Sequence, residues 1–367
     1  MLMSVAGSTL CAHGGVCSVT PTALGGFDTS GFSYGIDVVG TIAYVADADS
    51  LKIIDVSDST NPVLLGEIGT DATAYSVSVV GSIAYVADGL AGVRAIDVND
   101  PTNPILLSVF DTPGEAVAIV VVGTVAYVAD LEFGLAMIDV SDPANPVLFG
   151  VYNSPGLAAG LSVVGTTVYI GDGAEGIVIV DAIDPANPVL LGAMDTPGFS
   201  SELIAVGTNL FVADFLSLLI VDVSDPALPV VTGTIATPGQ LQAIDVVDGI
   251  AYVGDGGSGM RVIDVSEPTM PTLLGVFNEP EGGAFDIAVV GSVAYLADNN
   301  HGLTVIDVQA DVCVADMNGD CFLNFFDVSA FLSAFATMDL AADINGDGVF
   351  NFFDVSAFLS AFGAGCP

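Results

Sequence analysis

Two stretches near the C-terminal end carry oxygen-bearing groups at alternating positions, the arrangement that wraps a hard divalent cation. The first offers Asp316, Asn318, Asp320, the carbonyl of Phe322, Asn324 and Asp327. The second offers Asp343, Asn345, Asp347, the carbonyl of Val349, Asn351 and Asp354. Calcium is held by oxygens from positions one, three, five, seven, nine and twelve of such a loop, with a carboxylate at the last. Both stretches meet that pattern at every position, so the spacing predicts two Ca2+ sites. The same segment follows each, Asn324 to Phe335 and Asn351 to Phe362, without a change. Within it Val328, Phe331, Leu332 and Phe335, and again Val355, Phe358, Leu359 and Phe362, recur at helical spacing. A helix is expected after each loop, and the two helices are expected to bury one another. So short a module builds little core unaided, and calcium is expected to fold it.

A second set of chemically capable residues lies upstream. Glu202 with Asp245 or Asp286 would make a carboxylate pair of the kind glycosidases use, provided the fold brings them within about 5 to 10 Å. Tyr34, Asp37, Tyr75 and Phe285 share their setting, and Glu132-Phe133, Phe215-Leu216, Asn299-Asn-His301 and Glu279 to Glu281 mark places where otherwise similar segments differ. Together they make a candidate ligand face of aromatic and carboxylate groups, suited to a sugar or a cation. A Ser-His-Asp arrangement would rest on His301 alone, with no nucleophile elbow beside it. No Gly-rich phosphate loop or Cys/His zinc framework is seen in this region.

The elements that must position these residues are set by a phrase used seven times: AYVAD at Ala43, Ala84 and Ala126, VYIGD at Val168, LFVAD at Leu210, AYVGD at Ala251 and AYLAD at Ala294. A period of about 40 to 45 residues filled with short β-branched and aromatic runs marks four-stranded propeller blades. Seven phrases predict an all-β, seven-bladed β-propeller over residues 20–309. Six inter-blade segments resemble Asn61-Pro-Val-Leu-Leu-Gly66, the last blade lacks one, and Pro21-Thr-Ala-Leu-Gly25 stands at the other end. The N-terminal strand is therefore expected to complete the last blade and close the ring. The Asp residues recurring in each blade, such as Asp88 with Asp97 and Asp130 with Asp139, are expected to cap turns.

The phrases Leu51-Lys-Ile-Ile-Asp55, Ile177-Val-Ile-Val-Asp181, Leu218-Leu-Ile-Val-Asp222 and Leu303-Thr-Val-Ile-Asp307 resemble the LVIVD-repeat family. That resemblance implies a propeller and, often, a surface or secreted bacterial protein, but not an activity. Residues 310–367 look like a dockerin, a duplicated calcium loop-helix module that attaches or sorts the protein carrying it, and Asp327 and Asp354 match the dockerin choice at position twelve. The ending Gly365-Cys366 is similar to dockerin-like tails of exported planctomycete-type proteins. The resemblance implies a cohesin-like or other cell-surface partner. Phe325-Phe326 and Phe352-Phe353 at positions ten and eleven depart from the small polar residues common there, and Cys321 replaces the usual Gly at position six. Cys366 is expected to pair with Cys313 or with Cys321, alternatives that spacing does not separate.

Composition sets the surroundings. Three basic residues (Lys52, Arg94, Arg261) stand against 44 acidic ones, a formal charge of −41. Such a chain repels nucleic acid and anionic lipid surfaces. No apolar run is long enough to span a bilayer. Residues 1–19 read as a leader or disordered segment; they lack the basic start and sustained apolar centre of a signal peptide, and Cys11, His13 and Cys17 make only a weak zinc set. Oxidised cysteines beside calcium loops favour an extracellular or cell-surface location. The expected function is non-catalytic binding or scaffolding of a polysaccharide or surface protein, with a carbohydrate-active enzyme, hydrolase or lyase, as the alternative.

Overall fold

The computed structural model describes residues 18–29, 31–278, 282–310, 313–318 and 322–365. Its repeats form seven antiparallel sheets, five of four strands and two of three. In the second blade the recurrent phrase is the strand Ile83–Ala87, paired with Ser76–Val80 on the inner side and Val93–Asp97 on the outer. Val93–Asp97 pairs in turn with Ile105–Phe110. Ala84, Tyr85, Val86 and Ala87 are all buried, because both faces of a blade pack on neighbours. The phrase therefore reads as a continuous apolar run rather than an alternation. Tyr85 and Ala87 of one blade meet Ile119, Val128 and Ile138 of the next in a single cluster.

The two three-stranded sheets are blades whose second and third strands run together. Ile42–Asp55 pairs with Ser33–Val39 through its first half and with Val63–Ala74 through its second. Asn209–Asp222 does the same in the fifth blade, turning at Phe215, which adopts a φ of +60°. In the seventh blade Thr22–Phe27 pairs antiparallel with Gly302–Asp307, from Thr22↔Asp307 to Phe27↔Leu303. The N-terminal strand thus supplies the outer strand of a sheet whose other members come from the far end of the repeats. That pairing covers an edge which would otherwise template association.

The recurrent Asp residues divide into two kinds. Asp97 and Asp139 cap turns as expected, accepting from the amides of Asn99 and Ser141 at 2.9 Å each. Asp88 and Asp130 instead are fully buried and grip the chain entering their own blade. Asp130 accepts from Thr112 Oγ1 at 2.7 Å and from the amide of Gly114 at 2.8 Å; Asp88 accepts from the amides of Asp71 and Ala72. Gly114 is required there, since a Cβ would lie 2.5 Å from the Asp130 carbonyl oxygen. All three basic residues occupy one position of the third strand, and each pairs with the buried Asp of its blade: Lys52 with Asp47, Arg94 with Asp88, Arg261 with Asp255. A buried carboxylate is tolerated when paired and hydrogen-bonded, and here the chain's whole complement of cations serves that end.

Pro21–Asp307 is one compact unit, and the chain from Val308 onward belongs to a second. The second contains α1 (Phe325–Thr337) and α2 (Phe352–Ala364). Phe331 and Phe358 stack at 4.2 Å between centroids, nearly parallel and almost fully buried. Leu332 and Leu359, expected on the buried face, are exposed instead, because the contact is carried by Phe331, Phe335, Phe358 and Phe362. No helix among the described residues is long and apolar enough to cross a membrane.

Candidate functional site

The innermost strand of each blade has one edge without a sheet partner, so amides along it need acceptors from elsewhere. The next blade's amide is met by a side chain of the blade before. Ser78 Oγ accepts from Val121 N at 3.2 Å and Ser162 Oγ from Ala205 N at 3.0 Å. At the same position Asp37 accepts from Val79 N at 2.7 Å and Asp245 from Val289 N at 2.8 Å. Two residues earlier along the strand, Asp286 accepts from Ile36 N at 2.8 Å, and Glu202 accepts from the amide of Ile244. These carboxylates are thus latches between adjacent blades. Partners lie 42 to 44 residues away in sequence, or 250 for Asp286 and Ile36 where the ring closes, and this role was not legible in the residue types.

A cavity of about 360 Å³ opens at one end of these strands. Five residues of the expected ligand face line it: Tyr34, Tyr75, Glu202, Phe285 and Asp286. Three rings form one wall across the seventh, first and second blades. Tyr34 lies 5.2 Å from Tyr75 in a tilted contact and 5.5 Å from Phe285 edge to face, and the Tyr75 hydroxyl donates to Glu115 at 3.1 Å. The fifth and sixth blades contribute polar residues instead, Ser201 and Gln242, at the repeat position that holds the rings elsewhere. Aligning the seven inner strands column by column would have found Ser201 and Gln242; a Gln read singly looks like any solvated residue. Gly160 allows the approach of the fifth blade's strand, since a Cβ there would lie 2.8 Å from the Glu202 Cα.

The electrostatics follow from burial. Desolvation raises the Glu202 carboxyl well above its ordinary range, with Asp286 and Asp245 adding repulsion. Asp286 is pushed up to about 7 by desolvation and by Asp245 and Asp37, against the lowering effect of its two amide hydrogen bonds. Asp37 and Asp245 are raised as well, desolvation again leading. No basic residue lines the cavity.

Glu132, Phe133, Phe215 and His301 do not line this cavity; they sit on turns between second and third strands, one strand further from the channel. His301 Nδ1 lies 3.1 Å from Asp298 Oδ2 with its ring half exposed. Asn299 and Asn300 border a different recess beside Asp47 and Lys52. Glu279 to Glu281, Cys11, His13 and Cys17 lie outside the described residues.

In the C-terminal unit the loop before α2 is held by its own side chains. Gly348 N donates to Asp343 Oδ2 at 2.8 Å and Val349 N to Asp347 Oδ1 at 2.8 Å. Asp347 N donates to Asn345 Oδ1 at 2.9 Å. Asn351 caps the helix, accepting from Phe353 N while its Nδ2 donates to the Val349 carbonyl. Asp354 is wholly buried, and its two oxygens accept from Asn351 N at 2.8 Å and Asn345 N at 3.4 Å. Asn324, Asn318, Phe322 and Asp327 repeat this at the first helix, and Asp316 is buried beside them. Asp320, Cys321 and Cys366 lie outside the described residues, while Cys313 is disulfide-bonded. A cation fits this set on chemistry: the donors are all oxygens, and Asp343 Oδ1 is buried without a hydrogen-bond partner. Among the described residues no three His, Cys, Asp or Glu already converge on a metal-sized point.

Fold and repeats define the larger unit as a seven-bladed propeller with an asymmetric mouth. The LVIVD repeat model matches seven times, at residues 30–70, 72–112, 113–154, 155–196, 197–237, 238–279 and 281–310, and the chain belongs to that family. No curated protein matches it. Among solved structures it is similar to the Myceliophteria thermophila Cps50 (Swd1) beta-propeller domain, at 11% identity and a TM-score of 0.66 over 79% of this chain and 100% of that one. The computationally designed Ika8 protein is similar at 10% identity and a TM-score of 0.58, over 78% of this chain and 99% of that one. Such likenesses speak to fold alone.

Proposed function

We propose that the chain is an exported, non-catalytic binding propeller that takes its ligand at the channel mouth and is attached or sorted through its C-terminal dockerin-like module. The observation that carries this is the division of labour in the channel. Its carboxylates already serve as acceptors between blades, while the aromatic wall is confined to three adjacent blades. Symmetry answers to the repeat, and a feature that breaks it answers to something outside the repeat. In the module, Ca2+ would be held by Asp343, Asn345, Asp347, the Val349 carbonyl, Asn351 and Asp354, with Asp316, Asn318, Asp320, the Phe322 carbonyl, Asn324 and Asp327 as the second set. Bound there, it supplies the charge that draws each loop's carboxylates together. The exposed pairs Phe325-Phe326 and Phe352-Phe353 support recognition by a protein partner, since charge of −41 disfavours a membrane. A carbohydrate-active enzyme is the second reading, favoured by the mutual repulsion of Glu202 and Asp286 in one cavity.

Incubation with a panel of polysaccharides decides between the readings. The binder is expected to retain ligand without new reducing or unsaturated ends. Turnover that disappears in Glu202→Gln would overturn the proposal in favour of the enzyme. For the module, calorimetric calcium titration of the full chain should show saturable sites that vanish in an Asp316→Ala, Asp343→Ala variant, which removes one ligand from each loop, with helical ellipticity rising on calcium addition in the parent only.

A further inference from the structure

We infer that the channel mouth recognises a small organic cation, an ammonium group carried on an apolar or saccharide frame, held between the rings of Tyr34, Tyr75 and Phe285 and the carboxylates of Glu202 and Asp286. The inference rests on the reading of the mouth as a ligand site and names the ligand's chemistry.

Three features converge. The first is shape: a cavity of about 360 Å³ is large for a bare metal ion and within the size of small-molecule pockets. The second is the wall. Rings at 5.2 and 5.5 Å in tilted and edge-to-face contact form a bent π surface, and an ammonium carrying carbon substituents is attracted to such a surface with little hydration to lose. The third is charge. Glu202 and Asp286 line the cavity with Asp245 and Asp37 behind them, and Glu115 accepts from Tyr75. The chain's Lys and Arg residues, Lys52, Arg94 and Arg261, sit at one third-strand position and are each paired with the buried Asp that ends the second-strand phrase of the same blade. The negative potential at the mouth therefore has no counter-charge from the cavity lining itself, and burial makes its ionised form costly.

Other ligand classes fit less well. Anions meet carboxylates and no donor cation. A metal ion would have to strip the carboxylates from the amides they hold, with Asp286 engaged by both Ile36 N and Ile287 N and Asp245 by both Val289 N and Val246 N. An organic cation needs no direct coordination; it lies over the rings and is attracted by carboxylates that keep their hydrogen bonds. A neutral saccharide could use the rings but would leave the charge uncompensated.

Paired probes test this by calorimetry on the full chain. Choline is set against its neutral isostere 3,3-dimethylbutan-1-ol, and glucosamine against glucose. The cations are expected to bind at least ~10-fold more tightly than their neutral counterparts, a difference of ~1.4 kcal/mol. Which of the two binds better separates a quaternary-ammonium source from an amino-sugar source. Glu202→Gln and Asp286→Asn keep an acceptor for the neighbouring amide and are each expected to weaken cation binding by about tenfold; Tyr34→Ala is expected to weaken choline most. Glu132→Gln, outside the cavity, should change nothing. Choline, whose charge does not titrate, should bind more tightly as pH rises through about 7 and Asp286 ionises, a profile expected of the parent protein without any variant. Equal affinity for charged and neutral partners overturns the inference and leaves the mouth a neutral-ligand site. Failure of both cations to bind overturns it as well. Neither result bears on turnover, which is what would remove the binder reading itself.

Discussion

At the scale of single residues, the same amino acid does three different jobs in this chain, and the partner decides which. An Asp whose oxygen meets the amide two residues on, like Asp139, only shapes a turn. An Asp buried against the chain entering its blade, like Asp88, ties two elements and is itself neutralised by Arg94. Removing that guanidinium strands a buried charge, so Arg94→Met is expected to cost about 3 to 5 kcal/mol in denaturant unfolding, and the added change Asp88→Asn to recover part of it. Asp286, the third kind, joins the seventh blade to the adjacent first blade beside the channel. Its folded-state carboxyl titrates near 7, above the range it would have in an unfolded chain. The folded form therefore holds this proton more tightly, and the stabilisation is complete at low pH and lost as pH rises through about 7. Asp286→Asn carries no such charge. The stability difference between parent and variant should shift by roughly 2 kcal/mol toward the variant from pH 5 to pH 8, allowing for screening at the solvated mouth.

The repeats show at the scale of elements what sequence makes visible and what it hides. The second strand of every blade was legible because burial on both faces demands an uninterrupted apolar phrase, and seven near-copies leave no doubt of the period. Closure was legible too, since a missing segment at one end and a spare one at the other imply pairing, and Thr22–Phe27 lies against Gly302–Asp307. The staples and latches were not. Asp130 finds Thr112 and Gly114 in a turn, and Asp37 finds a backbone amide of Val79 in another blade; neither amide nor distance leaves a mark on residue type. The candidate site was half legible for the same reason. Tyr34, Tyr75, Glu202, Phe285 and Asp286 break the repeat and announce themselves, whereas Ser201 and Gln242 break it with residues common on any surface. Closure yields its own prediction. Removing residues through Phe27 bares the edge of Gly302–Asp307, and the truncated chain is expected to associate, with sedimentation showing concentration-dependent oligomers where the parent shows none by this edge.

Charge acts at the scale of the whole molecule. Forty-four acidic side chains and three basic ones give −41, and the three cations are engaged in blade interiors, so the surface field is almost unopposed. Self-repulsion of that size works against every compact state. Two kinds of ion relieve it differently. Monovalent salt shortens the reach of the repulsion to about 8 Å at physiological ionic strength and about 3 Å at 1 M, without regard to sequence. Calcium would act locally, at the loops preceding α1 and α2, each of which ends in a buried Asp, Asp327 or Asp354, and the second of which holds the partnerless Asp343 Oδ1. The two effects are separable by scanning thermal unfolding with sodium chloride from about 0.02 to 1 M and, independently, with millimolar calcium at fixed ionic strength. Salt is expected to raise the propeller's transition by several degrees and to do so equally in an Asp316→Ala, Asp343→Ala variant, altered in both loops. Calcium at constant ionic strength should raise a separate helical transition in the parent and not in that variant. A calcium response that persists in the variant, or that sodium reproduces at equal ionic strength, would mean the loops add nothing to a general screening of charge. Their duplicated spacing would then need another cause.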